Sequence, residues 1–453
     1  MKILIAGGGK IGSALTEQLS GEGHEITVID FDADVLEIIQ ERYDVITVLG
    51  NAASMTVLEM ADVASADLLV AATDRDEVNM LACLTAHRIN PSLKTIGRIR
   101  NPEYRYQAYE MKDVFGLSLA VNPEQRAARE IARLLKYPGF LSIDTFAKGI
   151  ADIVELKVDA KSPLKNKQLS HLPSIIHTQV LVCAVLRNGE IIMPDGNFQI
   201  LENDLLFITA ATDNLTHLLR SVGLIVKKAK RVLIMGGGKI SYYLIQELKD
   251  TGMRCTIVEQ SHERCEELAA QLPEATIVEG DASSQEFLDS EGVGQSDTVV
   301  TLTGLDELNI VISLYAHTRN VAQVITKLSH AENNKVLDSL EVGSVISPKE
   351  LASFAIVRYV RAMQNQEGGA ITVHRMAGGK IEAIEFEVKE DTKHIGEPLR
   401  NIKTRSDALI CCIIDHGRVE IPSGNSRFQV GNTLVVVTST IGKIRQLNDI
   451  FGD

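Results

Sequence analysis

Two glycine-rich loops are the parts of this chain best suited to chemistry. Gly7, Gly9 and Gly12 stand at Gly-x-Gly-x-x-Gly spacing directly after the apolar run Ile3-Leu4-Ile5-Ala6. The first glycine of such a loop permits a tight turn, the second lets the backbone approach a pyrophosphate, and the third lets the following helix pack on the strand. The helix N-terminus then offers free N–H groups and positive dipole to phosphate. Asp30 closes the next apolar run, Ile26-Thr27-Val28-Ile29. That is about 20 residues on, where an acid accepts hydrogen bonds from ribose hydroxyls. An acid there repels a 2′-phosphate, which favours NAD over NADP. The bland alternative is a glycine turn kept only for packing.

The loop occurs twice. Val232-Leu233-Ile234-Met235 precedes Gly236-Gly237-Gly238-Lys239-Ile240-Ser241, with Glu259 in the place of Asp30. Asp76-Glu77-Val78-Asn79 returns as Asp306-Glu307-Leu308-Asn309, and Ile192–Asn197 is echoed by Glu420–Asn425. The chain therefore reads as one two-domain unit written twice, a pseudo-symmetric pair rather than a solenoid. Ser241 replaces the third glycine, Gly304 stands at the Asp74 position and Lys327 at the Arg98 position. These changes leave two readings of the second copy, a weaker nucleotide site or a structural remnant. They predict that the first site binds a dinucleotide more tightly.

In each unit apolar runs alternate with helical stretches, and such alternation makes a parallel doubly wound sheet. In the first copy the strands are expected at Ile3–Ala6, Ile26–Ile29, Val45–Leu49, Leu68–Ala72 and Lys94–Ile99. Their carboxyl ends would line a crevice with Gly50-Asn51-Ala52, Thr73-Asp74 and Arg98, where ligands sit in open α/β sheets. Arg98 reads either as a phosphate partner or as half of an internal salt bridge. Asn122 and Pro123 open an amphipathic helix over 124–135 that serves a partner subunit or covers its own sheet. Period-two alternation at Ile153–Val158 and Ala383–Val388 marks a small α+β module after each sheet domain. The expected fold is α/β: two Rossmann-like doubly wound domains, 1–121 and 228–346, each followed by a small α+β lobe, 141–226 and 368–453. Connecting helices occupy 122–140 and 347–367.

Composition narrows the function. The 453 residues carry 46 Lys and Arg against 60 Asp and Glu, a net charge of −14. So acidic a chain is a poor binder of nucleic acid and is repelled by anionic lipid, yet it complements the Lys/Arg-rich cytoplasmic loops of membrane proteins. The six cysteines form no Cys-x-x-Cys pair and read as small buried apolar residues of a reducing compartment. The first nine residues hold too little charge and apolar length for a secretory signal, and no run of about 18 apolar residues suggests a membrane span. His171, His177, His217, His317 and His416 are scattered. No nucleophile elbow, Walker loop or zinc spacing accompanies the glycine loops. A dehydrogenase needs an acid/base group beside the nicotinamide. The loops therefore read as sensors, with no residue assigned to catalysis or to a metal.

The ordered set continues with Thr73-Asp74-Arg75-Asp76-Glu77-Val78-Asn79. It resembles the domain that regulates the conductance of potassium channels and transporters. Two such domains with their lobes in one chain resemble the TrkA-type regulators of Trk potassium uptake systems. Gly280-Asp281-Ala282 keeps the family's Asp, whereas Asn51 departs from it. The resemblance implies a non-enzymatic, cytoplasmic regulatory subunit that binds NAD(H), or ATP and ADP, and gates a membrane potassium transporter. It would assemble as a homo-oligomer, typically a tetrameric ring, peripheral on the cytoplasmic face of the inner membrane, with no insertion and no nucleic acid. The implied ligand shell is Gly7, Gly8, Gly9, Lys10, Ile11, Gly12, Asp30, Asn51, Thr73, Asp74 and Arg98. In the second copy it is Gly236, Gly237, Gly238, Lys239, Ile240, Glu259, Asp281, Thr303 and Lys327. The alternatives are an NAD-dependent oxidoreductase and a nucleotide sensor for another transporter.

Overall fold

The computed structural model describes residues 1–224, 229–329, 340–364 and 369–452. The expected domain limits at 226, 228, 367, 368 and 453 lie outside these residues. The first copy runs β1 (Lys2–Ala6), α1 (Lys10–Gly21), β2 (Glu25–Asp30), α2 (Ala33–Arg42), β3 (Ile46–Leu49), α3 (Met55–Met60), β4 (Leu68–Ala71), α4 (Asp76–Ile89), β5 (Lys94–Arg98), α5 (Pro102–Glu110) and β6 (Leu119–Val121). All strands pair in parallel, in the order β3-β2-β1-β4-β5-β6. The central strands are apolar on both faces because helices cover both, which is why they read as unbroken apolar runs. β6 and α5 escape the sequence reading. Three residues are too short to show a period, and α5 is polar on nearly every side.

Helix α6 (Pro123–Lys136) follows, then a lobe of β7 (Ser142–Phe146), β8 (Ala151–Lys157), β9 (Val180–Arg187), β10 (Glu190–Ile192), β11 (Leu205–Ala211) and α7 (Leu215–Ser221). Its antiparallel order is β10-β9-β11-β8-β7. The turn into β10 has Asn188 and Gly189 at φ of 53° and 83°, left-handed values that suit a two-residue hairpin.

The second copy repeats the plan. Its elements are β12 (Arg231–Met235), α8 (Lys239–Leu248), β13 (Arg254–Glu259), α9 (His262–Gln271), β14 (Thr276–Glu279), α10 (Gln285–Ser290), β15 (Thr298–Thr301), α11 (Asp306–Thr318), β16 (Gln323–Lys327) and β17 (Ser344–Ile346). The order β14-β13-β12-β15-β16-β17 matches the first sheet position by position. Helix α12 (Pro348–Gln364) leads to β18 (Thr372–Met376), β19 (Ile381–Glu387), β20 (Ala408–Asp415), β21 (Arg418–Glu420) and β22 (Thr433–Thr438).

The chain divides into two compact units, residues 1–128 with 347–357, and residues 129–346 with 358–453. The end of α6 thus belongs with the second parallel sheet, where buried Gln323 donates to the Leu134 carbonyl at 2.9 Å. Its apolar residues Ala127, Ile131, Leu134 and Leu135 are fully buried. The two lobes share one core within the second unit. Phe146, Ile153, Cys183 and Phe207 pack with Ile381, Ala383, Cys411 and Val437. All six cysteines are buried free thiols, and burial pushes Cys183 up to about 12, so it stays protonated.

Candidate functional site

In a parallel sheet every carboxyl end lies along one edge, so the residues after β1 to β5 converge. Gly7 has φ +102°, and a Cβ there would meet the Thr73 amide at 2.9 Å. A Cβ on Gly12 would lie 1.8 Å from the Gly7 carbonyl oxygen, and one on Gly8 would lie 2.7 Å from Val35. These three glycines are needed by the fold itself. Gly9 is different. Its φ of −67° suits any residue, and nothing lies within 4 Å of where its Cβ would be. The folded chain gives no reason for glycine there, whereas a phosphate lying over the loop does.

Helix α1 starts beside that opening without a side-chain cap and with no acid in its first turn. Its first N–H groups are thus left for an anion. By contrast α2 is capped by the Asp32 carboxylate. Lys10 is exposed at the opening, while Ile11 is buried against the sheet and contributes its backbone alone.

The Asp30 carboxylate accepts from the Gly8 amide at 2.6 Å and from the Asp32 amide at 3.0 Å. It therefore anchors the glycine loop, and its remaining lone pairs can accept from ribose hydroxyls. Asn51 is exposed and accepts from the Ala53 amide at 3.0 Å, a local turn. Asp74 is exposed at the same edge. Arg98 donates to the Thr73 carbonyl at 3.0 Å, while its Nε is buried without a hydrogen-bond partner among the described residues. It makes no salt bridge among them. Burial, and then the neighbouring Arg100, lowers its pKa from the ordinary value. A cation held in this way favours an incoming anion.

The residue that ties these ends together stands in the sequence as part of the repeat and of the resemblance motif, with no role of its own assigned. Asn79, fully buried, accepts from the Thr73 amide at 2.9 Å and the Thr73 hydroxyl at 2.7 Å. It donates to the Thr73 carbonyl at 3.1 Å and the Arg98 carbonyl at 2.9 Å. It thereby clamps the ends of β4 and β5. Asp76 accepts from the Arg100 and Asn101 amides at 2.8 and 2.7 Å. The acid and amide of the Asp-Glu-x-Asn phrase hold backbone rather than ligand.

The second copy reproduces the geometry. Glu259 accepts from the Gly237 amide at 2.7 Å, and Asn309 clamps Thr303 and the Lys327 carbonyl. Lys327 donates to the Thr303 carbonyl at 2.8 Å, as Arg98 does to Thr73. Asp281 accepts from the Ser283 amide at 2.8 Å, and that bond lowers its pKa. Gly236 has φ +104°, and Gly238, like Gly9, faces open space. Lys239 is exposed and Ile240 buried. Ser241 is accommodated by donating to the Gly236 carbonyl at 2.5 Å. One difference escaped the sequence reading. Arg264 stands where the first copy has Val35, and its Nε donates to the Gly237 carbonyl at 2.9 Å. It adds a cation beside the second loop, and the signal was a basic residue at a position that is apolar in the first copy.

Two nucleotide-binding-type sheet domains in tandem, each with its antiparallel lobe, define the class of protein. Residues 3–123 and 232–348 each match the TrkA-N domain, and residues 153–223 match the TrkA-C domain. The chain is 30% identical over 459 residues to the Trk system potassium uptake protein TrkA of Halomonas elongata, covering 100% of this chain and 98% of that one. It is 30% identical over 451 residues to the TrkA homolog of Archaeoglobus fulgidus, covering all of both chains. The chain belongs to the TrkA family. Among solved structures, the GsuK channel bound to NAD superposes with a TM-score of 0.61 at 18% identity, over 97% of this chain and 77% of that one. That likeness concerns the fold. Among the described residues no helix is long and apolar enough to cross a membrane.

Proposed function

We propose that this chain is a nucleotide-sensing regulatory subunit of a potassium transport system, binding NAD(H) or adenine nucleotides at both strand-end sites. The observation that carries the reading is the open glycine at Gly9 and again at Gly238, each set over an uncapped helix end and beside an anchored carboxylate. The relatives' names, potassium uptake proteins, supply the process, and a solved relative in fold carries NAD. The chain acts as a binder and not as an enzyme. The side chains of Asp30, Asn51, Thr73 and Arg98 all hold backbone, which suits stable docking of a ligand rather than proton transfer. Its partner is the Trk-type membrane subunit, met on the cytoplasmic face by a tetrameric ring of these chains. A nucleotide shifts such an assembly only by as much as it binds one conformation better than another.

The test is potassium uptake into vesicles holding the membrane subunit, with and without this chain, across NAD, NADH, ATP and ADP. Nucleotide-dependent uptake supports the reading. Uptake indifferent to the chain, or turnover of NADH with a carbonyl substrate, refutes it.

A further inference from the structure

The two parallel-sheet domains offer an internal control. Position for position they share a fold, so a surface present on one and erased on the other marks a task that only one performs. The edge strand of each sheet and the helices on either side of it show such a difference. In the first copy Phe31, Ile38, Ile46, Leu49, Met55 and Met60 are 75%, 50%, 66%, 57%, 50% and 67% exposed. At the matching positions the second copy has Gln260, Glu267, Thr276, Glu279, Gln285 and Ser290. Strand register supports the matching: Ile46 pairs with Thr27 as Thr276 does with Thr256, and Leu49 with Asp30 as Glu279 does with Glu259. The exposed Leu81 of α4, by contrast, keeps an exposed apolar counterpart in Val311, so that surface is common to both copies.

An edge strand is normally guarded by charge, because its unpaired backbone invites association. Glu279 guards β14 in this way, whereas β3 (Ile-Thr-Val-Leu) has no charged residue. Apolar side chains on α2, β3 and α3 surround that unguarded edge. The setting is acidic: residues 31–62 include seven Asp and Glu, all exposed, and one basic residue, Arg42. A second copy of the same face would bring like charges together, which costs association. A segment with both apolar and basic residues complements it.

We propose that the β3 edge of the first domain, including Ile38, Ile46 and Met60, is the docking face for a basic, apolar-studded cytoplasmic segment of the membrane transporter. The second domain carries no such face. Each chain therefore engages the transporter through the first of its two sheet domains. This proposal rests on the regulatory reading above. Excess positive charge in cytoplasmic loops gives such transporter segments the required sign.

The test exchanges residues between copies in the full chain. Ile38→Glu, Ile46→Thr and Met60→Ser together install the residues that the second copy already folds with. Wild type and variant are titrated against the Trk-type membrane subunit in nanodiscs, at low and high salt. Oligomeric state by sedimentation and NADH affinity are followed in parallel. The expected result is an affinity loss of about tenfold or more, as removal of several interface anchors produces. Wild-type binding should weaken with salt, while assembly and NADH affinity stay unchanged. Equal transporter affinity for both proteins overturns the docking proposal alone. Loss of assembly in the variant overturns it in favour of a contact between copies. Failure of wild type to bind the transporter at all overturns the regulatory reading and the docking proposal with it.

Discussion

Replacing Gly9 with Val separates the needs of the ligand from those of the fold. The new Cβ meets nothing within 4 Å, and the φ of −67° is ordinary for valine. The helix loses a favourable N-cap residue while the unfolded chain loses freedom, so the net stability change is under about 1 kcal/mol. The isopropyl group occupies the volume over the N–H groups of α1. Losing two phosphate–amide hydrogen bonds at about 1.5–3 kcal/mol each removes about 3–6 kcal/mol of binding, a hundredfold or more in affinity. Gly8→Val is the contrasting control. Its Cβ would approach Val35 at 2.7 Å and Ile39 at 2.9 Å, so it loses binding through damage to the fold. Calorimetric titration with NADH, paired with a thermal melt, distinguishes the two. Gly9→Val should melt like wild type and lose the first-site component. Gly238→Val should lose only the second. Wild-type affinity and stoichiometry in Gly9→Val would refute the placement of phosphate over this loop.

Four further outcomes follow from the same geometry. Asp30→Ala removes the acceptor of the Gly8 amide and of the ribose, and should weaken NADH binding at the first site by about tenfold or more by titration. Asn79→Ala leaves the Thr73 amide and two carbonyls without their buried partner, and should cost about 2–4 kcal/mol in urea unfolding of the first domain. Arg264→Val installs the first-copy residue and frees the Gly237 carbonyl, so second-site affinity alone should fall by about tenfold. Burial pushes the Glu155 carboxyl from 4.5 up to about 7, against the bond from Ser142. The folded lobe then holds the proton more tightly than the unfolded chain does, so stability falls as pH rises from about 4.5 to about 7, by up to about 3 kcal/mol. Glu155→Gln should therefore raise the melting temperature at pH 8 and change it little at pH 4.5.

The local parts were legible because each has a one-dimensional signature. Buried parallel strands are runs of Ile, Val, Leu and Ala, turns that need positive φ call for glycine, and the duplication shows as a constant offset. Gly7, Gly12 and Asp30 could be named from spacing, since the bond from Gly8 to Asp30 is dictated by the βαβ path between them. Which residues serve ligand and which serve the scaffold was not legible. Asn79 and Thr73 are both polar residues near a strand end, and only the fold shows one fully buried across two strands. The motif singled out Gly9 for the ligand but gave no reason for Gly8, adjacent and identical in type. One is enclosed by α2 and the other opens outward, a distinction set by packing between elements distant in sequence.

The sequence by itself determined the strand–helix alternation, the two copies and the chemistry of the loops, because backbone propensity and periodicity act over a few residues. Tertiary structure alone decided that α6 ends against the second sheet and that the two lobes share a core. It also decided that six apolar side chains of the first copy remain uncovered. Burial depends on what arrives from elsewhere in the chain, and an Ile destined for a core has the same letter as an Ile left at an edge.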